Sequence, residues 1–343
     1  MKLEQFGWNS FFESQLSGGI VGRVASSNHG RFLVWTEAGD VDTSVSGLLR
    51  QSGELWPAVG DWVVLRDDAE VIVKVLDRQT KLSRKQPERE VREQVLAANI
   101  DVLFIVSGLD RDYNERRIER FLVMARESNA RPVVLLNKSD LAPELGLDLP
   151  EILQRTQQLS PGITVVPLCA RSGDGLEAVP AQLKAGQTAA LIGSSGAGKS
   201  TILNRLLGDE RQRTAEVRKG DSRGRHTTTS RQLFVMPGEW LLMDLPGLRE
   251  VQLWATAEKL EDSFEDIQAL AQTCRFRDCT HSAEPGCAVS AAGLDPARVA
   301  NYLKMGREVT QLDQKKDPRM VRETKPKRKP VGKPARQHST EED

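Results

Sequence analysis

The run Gly193-Ser-Ser-Gly-Ala-Gly198-Lys199-Ser200 constrains this chain most, because it lies between a strand-like segment, TAALI, and a helix-like one, STILNRLL. A strand feeding a helix through a glycine-rich turn belongs to an α/β sheet with parallel strands. The glycines let successive backbone N–H groups curl toward one point, and the helix N-terminus adds positive potential there, so the turn suits a phosphate. Lys199 can reach the β- and γ-phosphates of a nucleoside triphosphate, and the Ser200 hydroxyl can ligate Mg²⁺. The pattern leaves the base open.

The chain around this turn changes texture along its length. From residue 98 onward, apolar runs alternate with helical spacing. IDVLFIVS at Ile100–Ser107 reads as a strand buried on both faces, and Glu115–Ser128 as a helix with Ile118, Phe121, Leu122 and Ala125 on one side. Further strands are expected at Pro132–Leu136, Ile163–Pro167, Thr188–Ile192, Gln232–Met236 and Trp240–Met243. Residues 20–76 instead carry five short β-rich runs broken by turn residues, which suits a small barrel of the OB type. Asp77–Glu93 is charged, contains Pro87 and reads as a linker with a helical end. After Trp254 the pattern turns helical around a Cys/His segment.

Asn137-Lys138-Ser139-Asp140 follows the strand PVVLL. At a strand end the Asp140 carboxylate can accept from guanine N1–H and the N2 amino group, donors that adenine does not present there. Asn137 would brace the neighbouring loops, and the Lys138 stem can lie over a purine face. Cys169-Ala170, after the strand TVVPL, occupies the place of a base-supporting loop that acts through backbone N–H groups. The expected role of the Cys169 thiol is burial.

Asp244-Leu-Pro-Gly247 ends the strand WLLM; Asp244 would hold Mg²⁺ through water and the Gly247 N–H would meet a γ-phosphate. Between the two phosphate motifs lies a polar loop, residues 219–229, whose hydroxyls offer a second Mg²⁺ ligand. Thr228 is favoured, although spacing does not separate it from Thr227 or Thr229. Leu248 stands where many GTPases place a water-orienting Gln, and leucine cannot hydrogen-bond water. His226 is the nearest group able to orient that water; contact with RNA or phosphate, or plain packing, is the rival reading.

Three of the four cysteines fall within fourteen residues beside a histidine, as Cys274-x4-Cys279-x-His281-x5-Cys287. Three thiolates and an imidazole favour tetrahedral Zn²⁺, and a complete protein shell implies a structural ion. The formal net charge is zero, yet residues 315–343 hold ten Lys or Arg against five Asp or Glu. This Pro-rich basic stretch reads as a disordered tail that either solubilises the chain or neutralises a polyanion. No apolar run approaches the ~20 residues of a membrane span, and the first residues do not form a secretory signal, so a cytoplasmic protein without a membrane partner is expected.

The base-reading motif precedes the phosphate turn, whereas most GTPases begin with that turn. This order, GRHTTT at residues 224–229, an N-terminal β-barrel and the Cys/His segment together resemble the RsgA family, also called YjeQ, of small-ribosomal-subunit biogenesis GTPases. The resemblance runs from about residue 19 to about residue 312. It implies an α/β P-loop GTPase domain, circularly permuted, with an N-terminal all-β OB-fold barrel and a C-terminal helical zinc-binding domain. The implied division is an extension at 1–18, an RNA-contacting barrel at 19–80, a linker at 81–97, the permuted domain at 98–252, the zinc domain at 253–314 and the basic tail at 315–343.

The implied activity is GTP hydrolysis on the small subunit late in its maturation, by a monomer that binds GTP or GDP and ribosomal RNA. Carried over by motif, Asn137, Lys138, Ser139 and Asp140 would bind GTP together with Gly193, Ser194, Ser195, Gly196, Ala197, Gly198, Lys199, Ser200 and Thr201. His226 and Lys199 would serve the hydrolytic step. The alternative is a non-catalytic guanine-nucleotide switch acting as an rRNA-binding assembly factor, favoured by Leu248. An ATP-using P-loop enzyme is disfavoured by Asn137–Asp140.

Overall fold

The computed structural model describes residues 2–51, 55–85, 93–110, 112–208, 231–245, 253–282 and 284–316. A first helix, α1 (Ser10–Glu13), precedes the strands β1 (Ile20–Asn28), β2 (Arg31–Thr36) and β3 (Gly39–Val45). A short helix α2 (Gly47–Gln51) leads to β4 (Trp62–Leu65) and β5 (Val71–Val75). These strands pair in the order β1-β2-β3-β5-β4 and close through β1–β4, an OB-like barrel whose β3–β5 contact is parallel. Alternation places Phe32 and Val34 of β2 inside, while Leu33 and Trp35 stay part-exposed. The residues ahead of the barrel pack against it: Phe6 and Phe12 are buried, the Phe6 ring lies 4.9 Å from Trp35, and Trp8 lies 4.8 Å from Trp62.

The stretch expected to be a linker with a helical end instead contains a strand pair, β6 (Lys81–Lys85) with β7 (Glu93–Ala98). Lys81 is exposed and Arg84, Lys85 and Glu93 are part-exposed, whereas Leu82, Leu96 and Ala97 are buried. Charge density masked a half-buried strand.

The α/β part contains β8 (Val102–Gly108), α3 (Glu115–Ser128), β9 (Arg131–Asn137), α4 (Leu149–Gln158), β10 (Thr164–Pro167), β11 (Thr188–Gly193), α5 (Lys199–Leu207), β12 (Arg231–Val235) and β13 (Leu241–Asp244). Five strands run parallel in the order β10-β9-β8-β11-β13. Alternate residues of each strand join opposite cores. Leu103, Ile105, Val134 and Ile192 pack with Phe121 and Leu122 of α3, whereas Phe104, Val106, Val133 and Leu191 pack with Ile202 and Leu203 of α5. This two-sided burial explains the unbroken apolar runs. At its ends α3 is capped by the Asn114 side chain, which accepts from Arg117 N, and by Asn129 in the left-handed region.

β12 is antiparallel to β13 and also pairs with β1, so barrel and α/β sheet are continuous. Gln232 lies opposite both Ser26 of the barrel and Asp244 at the end of β13. The remaining described α-helices are α6 (Ala257–Ser263), α7 (Glu265–Ala271), α8 (Ala288–Ala291) and α9 (Pro296–Lys316). They dock on α3 through Glu119, a buried carboxylate that receives Arg298 at 2.8 Å and Asn301 at 2.6 Å. No helix among the described residues is long and apolar enough to cross a membrane.

Candidate functional site

Parallel pairing aligns the carboxyl ends of the strands along one edge, the usual ligand edge of an open α/β sheet. Gly108 lies opposite Asn137, Gly193 opposite Val106, and Asp244 opposite Leu191. The motifs read from distant parts of the sequence therefore meet here. Asn137 is buried, donates from Nδ2 to the Ala197 carbonyl (2.8 Å) and accepts at Oδ1 from Ala170 N (2.9 Å). One amide thus ties together the Asn137–Asp140 segment, the Cys169–Ala170 loop and the glycine-rich turn.

That turn needs its glycines. A Cβ on Gly193 would lie 2.2 Å from the Val106 carbonyl oxygen, and one on Gly198 would lie 2.1 Å from Asn137 Nδ2. Gly198 also adopts φ 98° just before α5 begins at Lys199. Ser195, Gly196, Ser200 and Thr201 are exposed, while Ala197 is buried beneath them. Lys199 folds over the turn, its Nζ donating to the carbonyls of Gly193 (2.8 Å) and Ser194 (2.7 Å). Burial pulls the Lys199 ammonium below its ordinary range against the charges of Asp244 and Asp112, and burial pushes the Asp244 carboxyl above its own against Lys199. An anionic phosphate beside Lys199 and a cation at Asp244 would each oppose these shifts.

Lys138 is left-handed (φ 62°) and its ammonium pairs with Asp110. Ser139 donates its N–H to the Leu168 carbonyl, and Asp140 is exposed in the turn Ser139–Leu141. Cys169 is a buried free thiol accepting from Ser172 N at 3.5 Å. His226, Thr227, Thr228, Thr229, Gly247 and Leu248 lie outside the described residues.

The second cluster lies between α7 and α8. The ligand atoms of Cys274, Cys279, His281 and Cys287 all fall within 4.8 Å of one another. Both Cys274 Sγ and Cys287 Sγ stand 3.6 Å from His281 Nδ1, and 4.0 Å from each other. Sulfur ligands ~2.3 Å from a tetrahedral ion lie ~3.8 Å apart, so these spacings fit one ion. Ala288 N donates to Cys274 Sγ, and the Ser290 amide and hydroxyl donate to Cys287 Sγ, as thiolates require. Those Ser290 bonds lower the Cys287 pKa to about 6, while burial raises that of Cys279 to about 11, so metal capture would release protons.

Several supporting residues carry no motif in the sequence. Glu284 accepts from the N–H groups of Thr280 (2.9 Å) and Ser282 (3.0 Å), which flank His281 and hold it at φ 58°. A carboxylate inside a ligand loop was the available signal. Asp110 and Asp112, in the loop after β8, contact Lys138 and Ser194, and no motif marks them.

A family model described as RsgA GTPase matches residues 75–254. The small ribosomal subunit biogenesis GTPase RsgA of Opitutus terrae is 42% identical, covering 94% of this chain and 94% of its own. The protein of the same name from Methanosarcina acetivorans is also 42% identical, covering 89% and 84% respectively. Among solved structures, YjeQ from Thermotoga maritima aligns with TM-score 0.60 at 26% identity, over 85% of this chain and 98% of that one. The fold of YloQ, a circularly permuted GTPase, aligns with TM-score 0.59 over 87% of this chain and 97% of that one, at 21% identity.

The Asn137 geometry generates a direct expectation. Asn137→Ala strands the Ala197 carbonyl and the Ala170 N–H, each worth about 1–3 kcal/mol when buried without a partner. Chemical unfolding should show a loss of at least ~2 kcal/mol, and calorimetric titration should show loss of guanine-nucleotide binding. Wild-type affinity in that variant would remove Asn137 as the brace.

Proposed function

The chain belongs to the RsgA GTPase family, and from that membership we propose that it binds the small ribosomal subunit and hydrolyses GTP to GDP and phosphate during late maturation of that particle. The observation that carries the reading is the Asn137 bridge, which holds Asn137–Asp140 and Gly193–Ser200 at one sheet edge. In this reading the α/β part is a permuted P-loop domain. Asp140 reads guanine, the Lys138 stem covers the purine, and the backbone N–H groups of 193–199 cradle the phosphates with Lys199. Ser200 and Asp244 are the described oxygen donors for Mg²⁺, and their hard-ligand chemistry fits that ion. When bound, Mg²⁺ neutralises charge on the β- and γ-phosphate oxygens. Thr228 supplies the second hydroxyl ligand to Mg²⁺, the Gly247 N–H meets the γ-phosphate, and His226 orients the attacking water.

The four-ligand cluster is assigned to a structural Zn²⁺ because three sulfurs and one imidazole leave no position for substrate. The barrel and the basic stretch 315–343 are assigned to ribosomal RNA, with the chain acting as a cytoplasmic monomer. Residues 19–80, 98–252 and 253–314 then act as barrel, nucleotide and zinc units. Position 248 supports a second reading, a nucleotide switch with incidental turnover, since leucine cannot orient water.

Single-turnover GTP hydrolysis with and without purified small subunits separates the two. The enzyme reading expects acceleration of about tenfold or more, at least ~1.4 kcal/mol off the barrier, and Lys199→Ala should abolish it. No acceleration would favour the switch. For the metal, dialysis of the full chain against a strong chelator should release one zinc per molecule, read by atomic absorption. Loss of helical circular dichroism should accompany release, because so short a loop has little core of its own. Retained helicity with no metal released would contradict the assignment.

A further inference from the structure

The loop from Gly108 to Asn114, between β8 and α3, places carboxylates against both halves of the nucleotide site. Asp110 Oδ2 accepts from Lys138 Nζ, and Asp110 Oδ1 accepts from Asp112 N at 2.9 Å. Asp112 Oδ2 accepts from Ser194 Oγ, the residue after the first glycine of the turn, while its Oδ1 pairs with Arg117 of α3. Leu109 N donates to the Asn137 carbonyl at 2.7 Å, fixing the loop to the end of β9. The loop therefore joins the base-reading lysine to the phosphate turn through two linked aspartates.

Two features argue that this arrangement serves a ligand. Lys138 is a non-glycine residue in the left-handed region, a conformation that persists only where the surroundings over-determine it. Its stem also runs along β8, since a Cβ on Gly108 would sit 3.4 Å from Lys138 Cδ and Cε. Anchoring the ammonium at Asp110 leaves the methylenes as an apolar face. At the other end Asp112 acts on Lys199 as well as Ser194, because its charge raises the Lys199 pKa against burial.

We propose that the β8–α3 loop is a positioning strap for the guanine nucleotide, in which Asp110 lays the Lys138 stem along the purine face and Asp112 holds the Ser194 end of the phosphate turn in register with it. The strap rests on the reading that these two segments share one nucleotide. It makes Asp110 and Asp112 positioning residues that touch no reacting atom. Because the base end is common to GDP and GTP, loss of Asp110 must weaken both alike.

The test is calorimetric titration of the full-length chain with GDP and with a non-hydrolysable GTP analogue. Asp110→Asn should weaken both by the same factor, about three- to tenfold. In a Lys138→Ala background the same change should add no further loss, a non-additivity that general destabilisation does not produce. Asp112→Asn and Ser194→Ala should likewise fail to add. Asp110→Glu, which keeps the charge, should retain most of the affinity and stands in should the Asn variant not fold. Unchanged affinity in Asp110→Asn, or full additivity with Lys138→Ala, would overturn the strap. Failure of the wild-type chain to bind GDP would overturn the nucleotide reading and the strap with it.

Discussion

One buried amide organises the site. Asn137 is the last residue of β9, and its two hydrogen bonds reach chain 60 residues downstream at Ala197 and 33 residues downstream at Ala170. Both polar ends of the side chain are satisfied inside the protein, so neither bond can be given up without leaving a buried group unpaired. The absence of a side chain on Gly198 is part of the same contact, because any Cβ there would occupy the space of Asn137 Nδ2. The distance between the Asn137–Asp140 segment and the glycine-rich turn is set by packing and not by a flexible linker.

That constraint makes the order of the motifs structurally harmless. A parallel sheet collects the carboxyl ends of its strands at one edge whichever strand comes first in the chain. The consequence of the altered order lies in what borders the site. β12 carries the barrel, with Gln232 between Ser26 and Asp244, and α3 carries the C-terminal helices through Glu119, Arg298 and Asn301. The strap of Asp110 and Asp112 enters α3 through Arg117, and two other arginines of that helix, Arg116 and Arg120, pair with Asp295 and Glu308. The motif-bearing sheet edge is thus flanked by direct connections to the barrel and to the C-terminal helices that carry the Cys/His cluster.

Local signals made much of this legible. Turn-bounded β runs mark the five barrel strands, continuous apolar runs mark the parallel strands, and helical spacing places α3 at the residues observed. The motif glycines announce tight backbone approaches, and the Cys/His spacing announces four converging ligands. Groups whose meaning depends on distant partners were not legible. β6 and β7 are hidden by their charge, since their apolar residues become informative only once packed. The aromatic residues before the barrel look like a loose end until Trp35 and Trp62 receive them. Asp110, Asp112 and Glu284 look like surface acids because no fixed spacing links them to Lys138, Ser194 or the His281 loop.

In the proposed function Asp140 and the glycine-rich turn grip opposite ends of one molecule. Equilibrium competition between GDP and xanthosine diphosphate on wild-type and Asp140→Asn chains tests it most directly, with guanosine as the phosphate-free control. An amide at 140 presents a donor where the acid accepted, so the wild type should prefer GDP and the variant should prefer xanthosine diphosphate, each by about tenfold or more. Guanosine should compete poorly with both. An unchanged preference for GDP in Asp140→Asn, or guanosine competing as well as GDP, would contradict the account.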